Sequence, residues 1–370
     1  MTATAIMAKQ KLMIGFVFRI YVAKVKIKSI FAQIIDHFIM KDRLLSFLKD
    51  WMLVIGIIIG ISSYLIYLRL PFLHSAGPHI EQAIHSIQPC LLFLMLFISF
   101  CRISPRQLTL KKWHLKNLAI QISAFLLLSA TVIWAMRSQS QAAAWVVRNR
   151  LLFETGMLCM ICPTATSCAV VTGRLGGDMA QVVMYTIMIN LTVAILVPLT
   201  VPLLYPQAGI SFMQAFAGII AKVFPLLILP CLTAWAIRLI MPKLHDWVAG
   251  HTSISFYLWS VALTFAITLS TKAIVQSHCS LWILLEMAFI SLACCLFQFW
   301  AGGKIGTRYG SRVEGSQSMG QKNTVFGIWM GYTFWDPLLS VSGGMYTIWH
   351  NMRNTIQLYR HSHGKSSNGR

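Results

Sequence analysis

Long apolar stretches separated by short polar loops run through most of the chain. A hydrocarbon core about 30 Å thick needs about 20 residues of α-helix to cross it. The apolar stretches have about this length and lack the alternation of period two that marks transmembrane β-strands. We therefore predict an all-α polytopic membrane protein with about ten spans, over residues 51–68, 84–102, 117–136, 151–173, 179–204, 223–241, 254–274, 281–303, 313–333 and 336–353.

The composition supports this prediction. Of 370 residues, 57% are hydrophobic and 11% charged, whereas soluble domains have about 25% charged residues. The apolar content excludes disorder, and nine dispersed cysteines do not indicate a disulfide scaffold. The net charge of +21 comes from basic residues scattered between the apolar stretches, so we expect the lipid bilayer, and no nucleic acid, as a partner. Nothing in the sequence predicts an oligomeric state.

The positions of lysine and arginine predict the orientation. Cytoplasmic loops carry an excess of these residues. With the amino terminus inside, the inner segments from residue 40 onward hold 18 of them and the outer segments six. This split predicts a multi-pass protein of the cell (inner) membrane with both termini in the cytoplasm.

Both ends of the chain differ from its apolar middle, residues 45–358. Residues 1–44 are a basic extension, whose apolar stretch 12–22 is too short to span and is interrupted by Arg19. Two interpretations remain open: an amphipathic helix on the inner leaflet, or translation that truly starts at Met40. The polar tail, residues 359–370, is predicted to be disordered.

Two of the ten stretches are interrupted at their centres. Pro163 and three hydroxyl residues interrupt the fourth, and glycines and polar residues around Gly320 interrupt the ninth. Open backbone at membrane depth is tolerated where it is buried or lines a cavity. Each is the fourth span of a five-span half, so the halves, about 45–205 and 210–358, have opposite topology. This pattern favours an inverted-repeat transporter; tightly packed, kinked helices are the alternative.

At these residues the chain resembles the bile acid:sodium symporter family. The resemblance extends from about residue 45 to 355 and rests on four motifs: Cys162-Pro-Thr-Ala-Thr166, Gly177-Asp178, Gly320-Gln-Lys-Asn323 and Trp349-His-Asn351. It implies a ten-helix fold with a panel domain and a core domain that contains the crossing broken helices. It also implies sodium-driven uptake of bile acids or other organic anions.

The resemblance further implies a substrate site. Family members surround the bound anion with a threonine at the first break, the asparagine after the second, and a His-Asn pair in the last helix. The matching residues are Thr166, Asn323, His350 and Asn351. Hydroxyl, amide and imidazole donors with half-helix amino termini can hold a carboxylate or sulfonate.

The sodium positions of the family match poorly. On an ungapped match, the first site becomes Cys168, Ala169, Val182, Thr186 and Ser318. Sodium is a hard cation that needs several oxygen ligands, and here only Thr186 and Ser318 offer a side-chain oxygen. At the second site Gln121 keeps the family residue, whereas Lys322 replaces a glutamine.

Lys322 is a lysine near the centre of a predicted span. An intramembrane lysine is costly and therefore indicates a function. Our hypothesis is that its ammonium replaces a sodium ion, with Gln121, Ser318 and nearby carbonyls as acceptors. Transport would then be facilitated, or coupled to protonation of Lys322. The alternative is that Lys322 extends to water. Apart from sodium, whose sites are degraded, we expect no cofactor or metal.

Two other functions are alternatives to transport of an organic anion. The related arsenite-efflux family uses a cysteine at the first break and a glutamate at the second; here Cys162 precedes the proline and Ser318 occupies the glutamate position. An intramembrane enzyme lacks the usual nucleophile and metal motifs, so we predict no catalytic residues. Among acids, Glu154 is predicted to pair with Arg150, and Glu286 with Lys272.

Overall fold

The computed structural model describes residues 42–206, 209–251 and 253–367; for residues 42–53, 253 and 362–367 only the backbone is considered. The amino-terminal extension predicted over residues 1–44 therefore lies outside the described residues, except for its last three. The chain divides into two compact units, Met1–Ile55 and Gly56–Arg370. All contacts reported below lie within the second unit.

The described part of the chain is α-helical and contains no β-strand beyond one isolated bridge. Its helices are α1 (Asp42–Arg69), α2 (Gly77–Cys101), α3 (Lys112–Arg137), α4 (Gln141–Arg148), α5 (Arg150–Ile161), α6 (Cys168–Arg174), α7 (Met179–Leu204), α8 (Phe212–Ile240), α9 (Pro242–Gly250), α10 (Ser253–Ser277), α11 (Leu281–Thr307), α12 (Arg312–Gly320), α13 (Thr324–Phe334) and α14 (Ser340–Ser367).

Six helical segments among the described residues are long and apolar enough to cross a membrane. They are Pro71–Cys101, Lys112–Arg137, Met179–Leu204, Phe212–Ile240, Ile254–Ser277 and Leu281–Thr307. A shorter apolar helix covers Val54–Arg69. The stretches predicted to be interrupted are each split into two helices, α5 with α6 and α12 with α13. The protein is therefore an all-α, multi-pass membrane protein.

Polar residues at the loop ends start several of these helices. The side chains of Ser140, Asp178 and Ser280 each accept a hydrogen bond from a backbone N–H in the first turn of α4, α7 and α11. Such caps satisfy donors that have no partner within the helix. At the other end of the chain, α14 is helical to Ser367. Part of the predicted tail, residues 359–370, is thus helical, and its disorder in solution stays a prediction.

The helices of the second unit pack in two groups. In the first, which we call the α2 group, α2 packs against α8 and α10, and α1 contacts α10 where Thr268 donates to the Gly60 carbonyl at 3.2 Å. In the second, which we call the crossing group, α3, α7, α11 and α14 surround the interrupted helices α5–α6 and α12–α13. Contacts between the groups include the extensive one of α7 with α8, those of α10 with α13 and α14, and that of α2 with α13.

Candidate functional site

The two interruptions meet and form hydrogen bonds to each other. Residues 162–167 separate α5 from α6, and residues 321–323 separate α12 from α13. The two segments run antiparallel, with a bridge between Thr164 and Lys322. Asn323 N–H donates to the Pro163 carbonyl at 2.7 Å, and Ala165 N–H to the Gln321 carbonyl at 3.1 Å. Each break therefore satisfies backbone groups that the other leaves without a helical partner.

Side chains reinforce this crossing. The Thr164 hydroxyl donates to the Ser318 carbonyl at 2.8 Å, and the Cys162 thiol to the Asn323 carbonyl at 3.0 Å. Asn323 also caps α13, because its Oδ1 accepts from the Phe326 N–H at 3.2 Å. The polar residues at the breaks therefore hold the open backbone in place.

Lys322 lies at the centre of the crossing and is 2% exposed. Its Nζ donates to the Met160 carbonyl at 3.2 Å. Met160 is in the last turn of α5, where carbonyls lack intrahelical donors and the helix dipole is negative. Among the described residues Lys322 forms no ion pair. The ammonium is thus held by the carboxyl end of a half-helix, without a carboxylate.

A network of glutamines and tyrosines surrounds this end of α5. Gln121 Nε2 donates to the same Met160 carbonyl at 2.9 Å and to Gln298 Oε1 at 3.1 Å, while the Tyr185 hydroxyl donates to Gln121 Oε1. Gln298 Nε2 donates to the Cys159 carbonyl and to the Tyr346 hydroxyl. The Tyr346 hydroxyl in turn donates to the Gly320 carbonyl at 2.9 Å.

Sequence reasoning missed Gln298, Tyr185 and Tyr346. A signal was present, because a glutamine within an apolar span needs a buried partner. Gln121 and Gln298 lie in the third predicted span of their respective halves, and Tyr185 and Tyr346 in the fifth. The pairing of the two glutamines across 177 residues cannot be read from either span alone.

The space beside Lys322 is small. A cavity of about 10 Å³ is lined by Leu158, Cys159, Cys162, Lys322, Thr324, Gly327, Gly343 and Tyr346. This volume is about that needed by one water molecule. An organic anion does not fit there in this arrangement of the helices.

The predicted substrate residues lie at different distances from the crossing. His350 is 6% exposed, and its Nδ1 accepts from the Lys322 backbone N–H at 3.3 Å. His350 thus contacts the backbone of Lys322, the residue before Asn323. Thr166 is half-buried, and its carbonyl accepts from the Ser99 hydroxyl of α2 at 3.2 Å. The Asn351 amide donates to the Thr347 carbonyl of its own helix at 2.7 Å.

The predicted cation positions are not joined in one network. Gln121 and Lys322 share the Met160 carbonyl. The Ser318 hydroxyl is buried without a hydrogen-bond partner among the described residues. The Thr186 hydroxyl donates to Val182 of its own helix at 2.9 Å, and Cys168 is fully buried in α6. Within the described residues no group of three or more His, Cys, Asp or Glu side chains suits a metal ion.

The acids near the predicted outer face form two separate clusters. Glu154, 2% exposed, accepts from Arg150 at 2.6 Å and from the Tyr205 hydroxyl at 2.6 Å, so the predicted Arg150–Glu154 pair is confirmed. The predicted pairing of Lys272 with Glu286 is wrong. Lys272 Nζ lies 2.5 Å from Glu81 Oε2, and Glu286 is exposed.

A comparison with protein families gives a match over most of the chain. Residues 50–348 match the model of the SBF-like CPA transporter family. The matched range contains both interruptions, Lys322 and the glutamine pair. No curated protein matches the chain.

Proposed function

The chain belongs to the SBF-like CPA transporter family, and on that premise we propose that it is a secondary transporter that moves an organic anion by alternating access. The substrate class is bile acid-like, sterol-like or a small carboxylate. The crossing of two interrupted helices supports this proposal most directly, because open backbone at membrane depth is a feature of transporter binding sites.

We infer ten membrane-spanning helices in two inverted five-helix repeats, in the cell (inner) membrane with both termini cytoplasmic. Support comes from matching residues in the halves. In each half, a glutamine of the third span hydrogen-bonds to a tyrosine of the fifth, Gln121 to Tyr185 and Gln298 to Tyr346. A shared buried pair at the same place in each half is what an internal repeat predicts.

We infer that the two groups of helices are the two domains expected of such a transporter. The α2 group would be the panel, and the crossing group, which contains both breaks, would be the core. Alternating access would then be a movement of the crossing group against the α2 group, which exposes the crossing to one side at a time.

The cation that drives related carriers would be replaced by Lys322. The ammonium lies on the Met160 carbonyl beside Gln121, where the half-helix dipole attracts a positive charge. A fixed charge there disfavours a second cation through Coulomb repulsion in a poorly screened site. Transport would be facilitated, or driven by an ion other than sodium.

The substrate anion would be held by neutral donors and by this charge. Asn323 Nδ2 is buried without a partner among the described residues, and it lies next to Lys322 in the chain. His350 and Thr166 flank the same segment. The water-sized cavity is lined by residues of the crossing group alone. The anion would therefore bind outside it, where movement of the crossing group against the α2 group exposes the crossing.

Uptake by proteoliposomes tests this function. Purified protein would be assayed with a labelled bile acid and with small labelled carboxylates, under an inward sodium gradient or an equal potassium gradient. We expect saturable uptake of at least one anion, at equal rates in both gradients, and loss of uptake in Asn323→Ala. The absence of uptake for every anion would contradict the function, and strong sodium dependence would contradict the role of Lys322.

Arsenite efflux is the second candidate, favoured by the position of Cys162. Its thiol lies at the crossing and, with Cys159, lines the cavity beside Lys322. Expression in an arsenite-sensitive host separates the candidates. Rescue that is lost in Cys162→Ser but kept in Cys90→Ser, an exposed cysteine, would favour efflux; absence of rescue is expected for an organic-anion carrier.

A further inference from the structure

Four polar side chains form a cluster at the predicted outer ends of α2, α10 and α13. We call Glu81, His85, Lys272 and Tyr332 the outer cluster. Glu81 Oε2 lies 2.5 Å from Lys272 Nζ, and Glu81 Oε1 accepts from the Tyr332 hydroxyl at 2.8 Å. His85 Nε2 is 3.8 Å from the same Oε1, and its ring lies 5.4 Å from the Tyr332 ring. Both oxygens of the carboxylate are therefore engaged.

The partners of Glu81 belong to different groups of helices. Lys272 is on α10, in the same group as α2, whereas Tyr332 is on α13, the second half of an interrupted helix. A movement of the crossing group against the α2 group would withdraw the Tyr332 hydroxyl and leave the Lys272 pair intact. The environment of this carboxylate would thus change with the state of the transporter.

The same face of α2 continues toward the crossing. Residues 81, 85 and 88 are spaced so that they share one face of the helix. Gln88 is fully buried, and both atoms of its amide lack hydrogen-bond partners among the described residues. Farther along, the Ser99 hydroxyl donates to the Thr166 carbonyl at the first break. This face is therefore polar near the outer cluster and again at the crossing, with the buried Leu92 and Met95 between.

Glu154 is the other acid whose two carboxylate oxygens both have partners, and it differs from Glu81 in where those partners lie. Glu154 accepts from Arg150 and Tyr205, and all three residues belong to the crossing group or its adjoining loop. Movement between the groups would leave those bonds unchanged. Among the described residues, Glu81 is the acid whose hydrogen bonds bridge the two groups.

We propose that Glu81 is a proton-binding site of this transporter, and that its deprotonated form closes the outer end by holding Tyr332 of the crossing group. The proposal rests on the function proposed above. When a proton from solvent binds a carboxylate oxygen, the carboxyl group becomes neutral, its attraction to Lys272 is lost and it accepts more weakly from Tyr332.

The other groups around Glu81 fit a coupling between proton binding and opening. The titratable side chains that face it are Lys272 of α10, Tyr332 of α13, Tyr64 of α1 and, on α2 itself, His85. Lys272 favours the carboxylate in either arrangement. Withdrawal of Tyr332 removes a donor that stabilises the charged form, so the open arrangement favours proton binding, and proton binding favours the open arrangement.

Protonation and opening can each be measured without a transported substrate. The full-length protein in lipid nanodiscs would be examined by pH-difference infrared spectroscopy for the C=O band of a protonated carboxylic acid. We expect a band that disappears in Glu81→Gln and persists in Glu286→Gln, the matched control at an exposed acid. A band that persists in Glu81→Gln would overturn the proposal.

Hydrogen–deuterium exchange at one pH then measures opening. We expect Glu81→Gln and Tyr332→Phe to raise exchange over residues 328–339 by about fivefold, and Glu286→Gln to leave it unchanged. Equal exchange in wild type and Glu81→Gln would overturn the proposal. Neither measurement depends on transport. A protein that carries no organic anion would fail the uptake assay but could still show the expected band and exchange. If instead Glu81 does not bind a proton, the uptake of an anion would be unaffected.

Discussion

Lys322 and Lys272 are both lysines within helical regions of a membrane protein, and their surroundings differ. Lys322 is 2% exposed and donates to a backbone carbonyl, with no ion pair among the described residues. The Lys272 side chain is 21% exposed and pairs with the Glu81 carboxylate. A lysine bound to the end of a half-helix is a fixed charge, whereas the attraction between a lysine and a carboxylate is lost when the carboxylate binds a proton. The first arrangement suits a charge that replaces a bound ion, and the second arrangement suits a gate.

The packing of the backbone around the two lysines also differs. At the crossing, two chain segments exchange backbone hydrogen bonds. Nearby, α11 and α12 approach so closely that a Cβ on Gly302 would overlap the Gly315 carbonyl oxygen. The outer cluster joins its helices by side chains near their ends. We therefore expect the crossing to be rigid and the outer cluster to open.

The largest effect is expected where a side chain is forced into the rigid region. Gly302→Ala would place its methyl group against the backbone of α12, which cannot rotate away. We expect a loss of about 3 kcal/mol in the free energy of unfolding, or failure to fold, as measured by denaturation in mixed micelles.

Gly303→Ala is the matched control. A Cβ there would lie 3.4 Å from the Ser316 Cβ, an ordinary contact, and alanine favours the helix by about 0.5 to 1 kcal/mol. Equal stabilities of the two variants would contradict the close approach of α11 and α12.

The second-largest effect is expected to be a gain in stability. Lys322→Met keeps most of the side-chain volume and removes a buried charge that lacks a carboxylate. We expect it to raise the free energy of unfolding by about 1 to 4 kcal/mol, while transport is lost. A variant that is less stable than wild type would indicate that the ammonium has a counter-charge that the described residues do not supply.

The smallest effect is expected at the outer cluster. Lys272→Met and Tyr332→Phe each remove one partner of a carboxylate that is 31% exposed, so water can replace it. We expect each to lower stability by at most about 1 kcal/mol. A loss as large as that of Gly302→Ala would show that the cluster is a structural tie and not a gate.

The sequence allowed the helices and their interruptions to be predicted, because apolar length, Pro163 and the glycines near Gly320 act locally. Lys322 stood out for the same reason, as a charge within an apolar stretch. The partners of the two lysines could not be predicted. Lys272 pairs with a residue 191 positions away, and Glu286, which is nearer in the chain, faces outward. Packing between distant helices decides such pairs, and a single sequence does not record it.

Sodium binding tests the central claim most directly, since Lys322 is proposed to replace a sodium ion. Thermal unfolding of the purified protein would be measured as sodium replaces potassium at constant ionic strength, for wild type and for the double variant Ser318→Glu with Lys322→Gln, which restores the two family residues. We predict no sodium-dependent stabilisation of wild type, and stabilisation of the variant that reaches about 2.7 kcal/mol at a hundredfold excess over its Kd. Saturable stabilisation of the wild-type protein by sodium would contradict the claim.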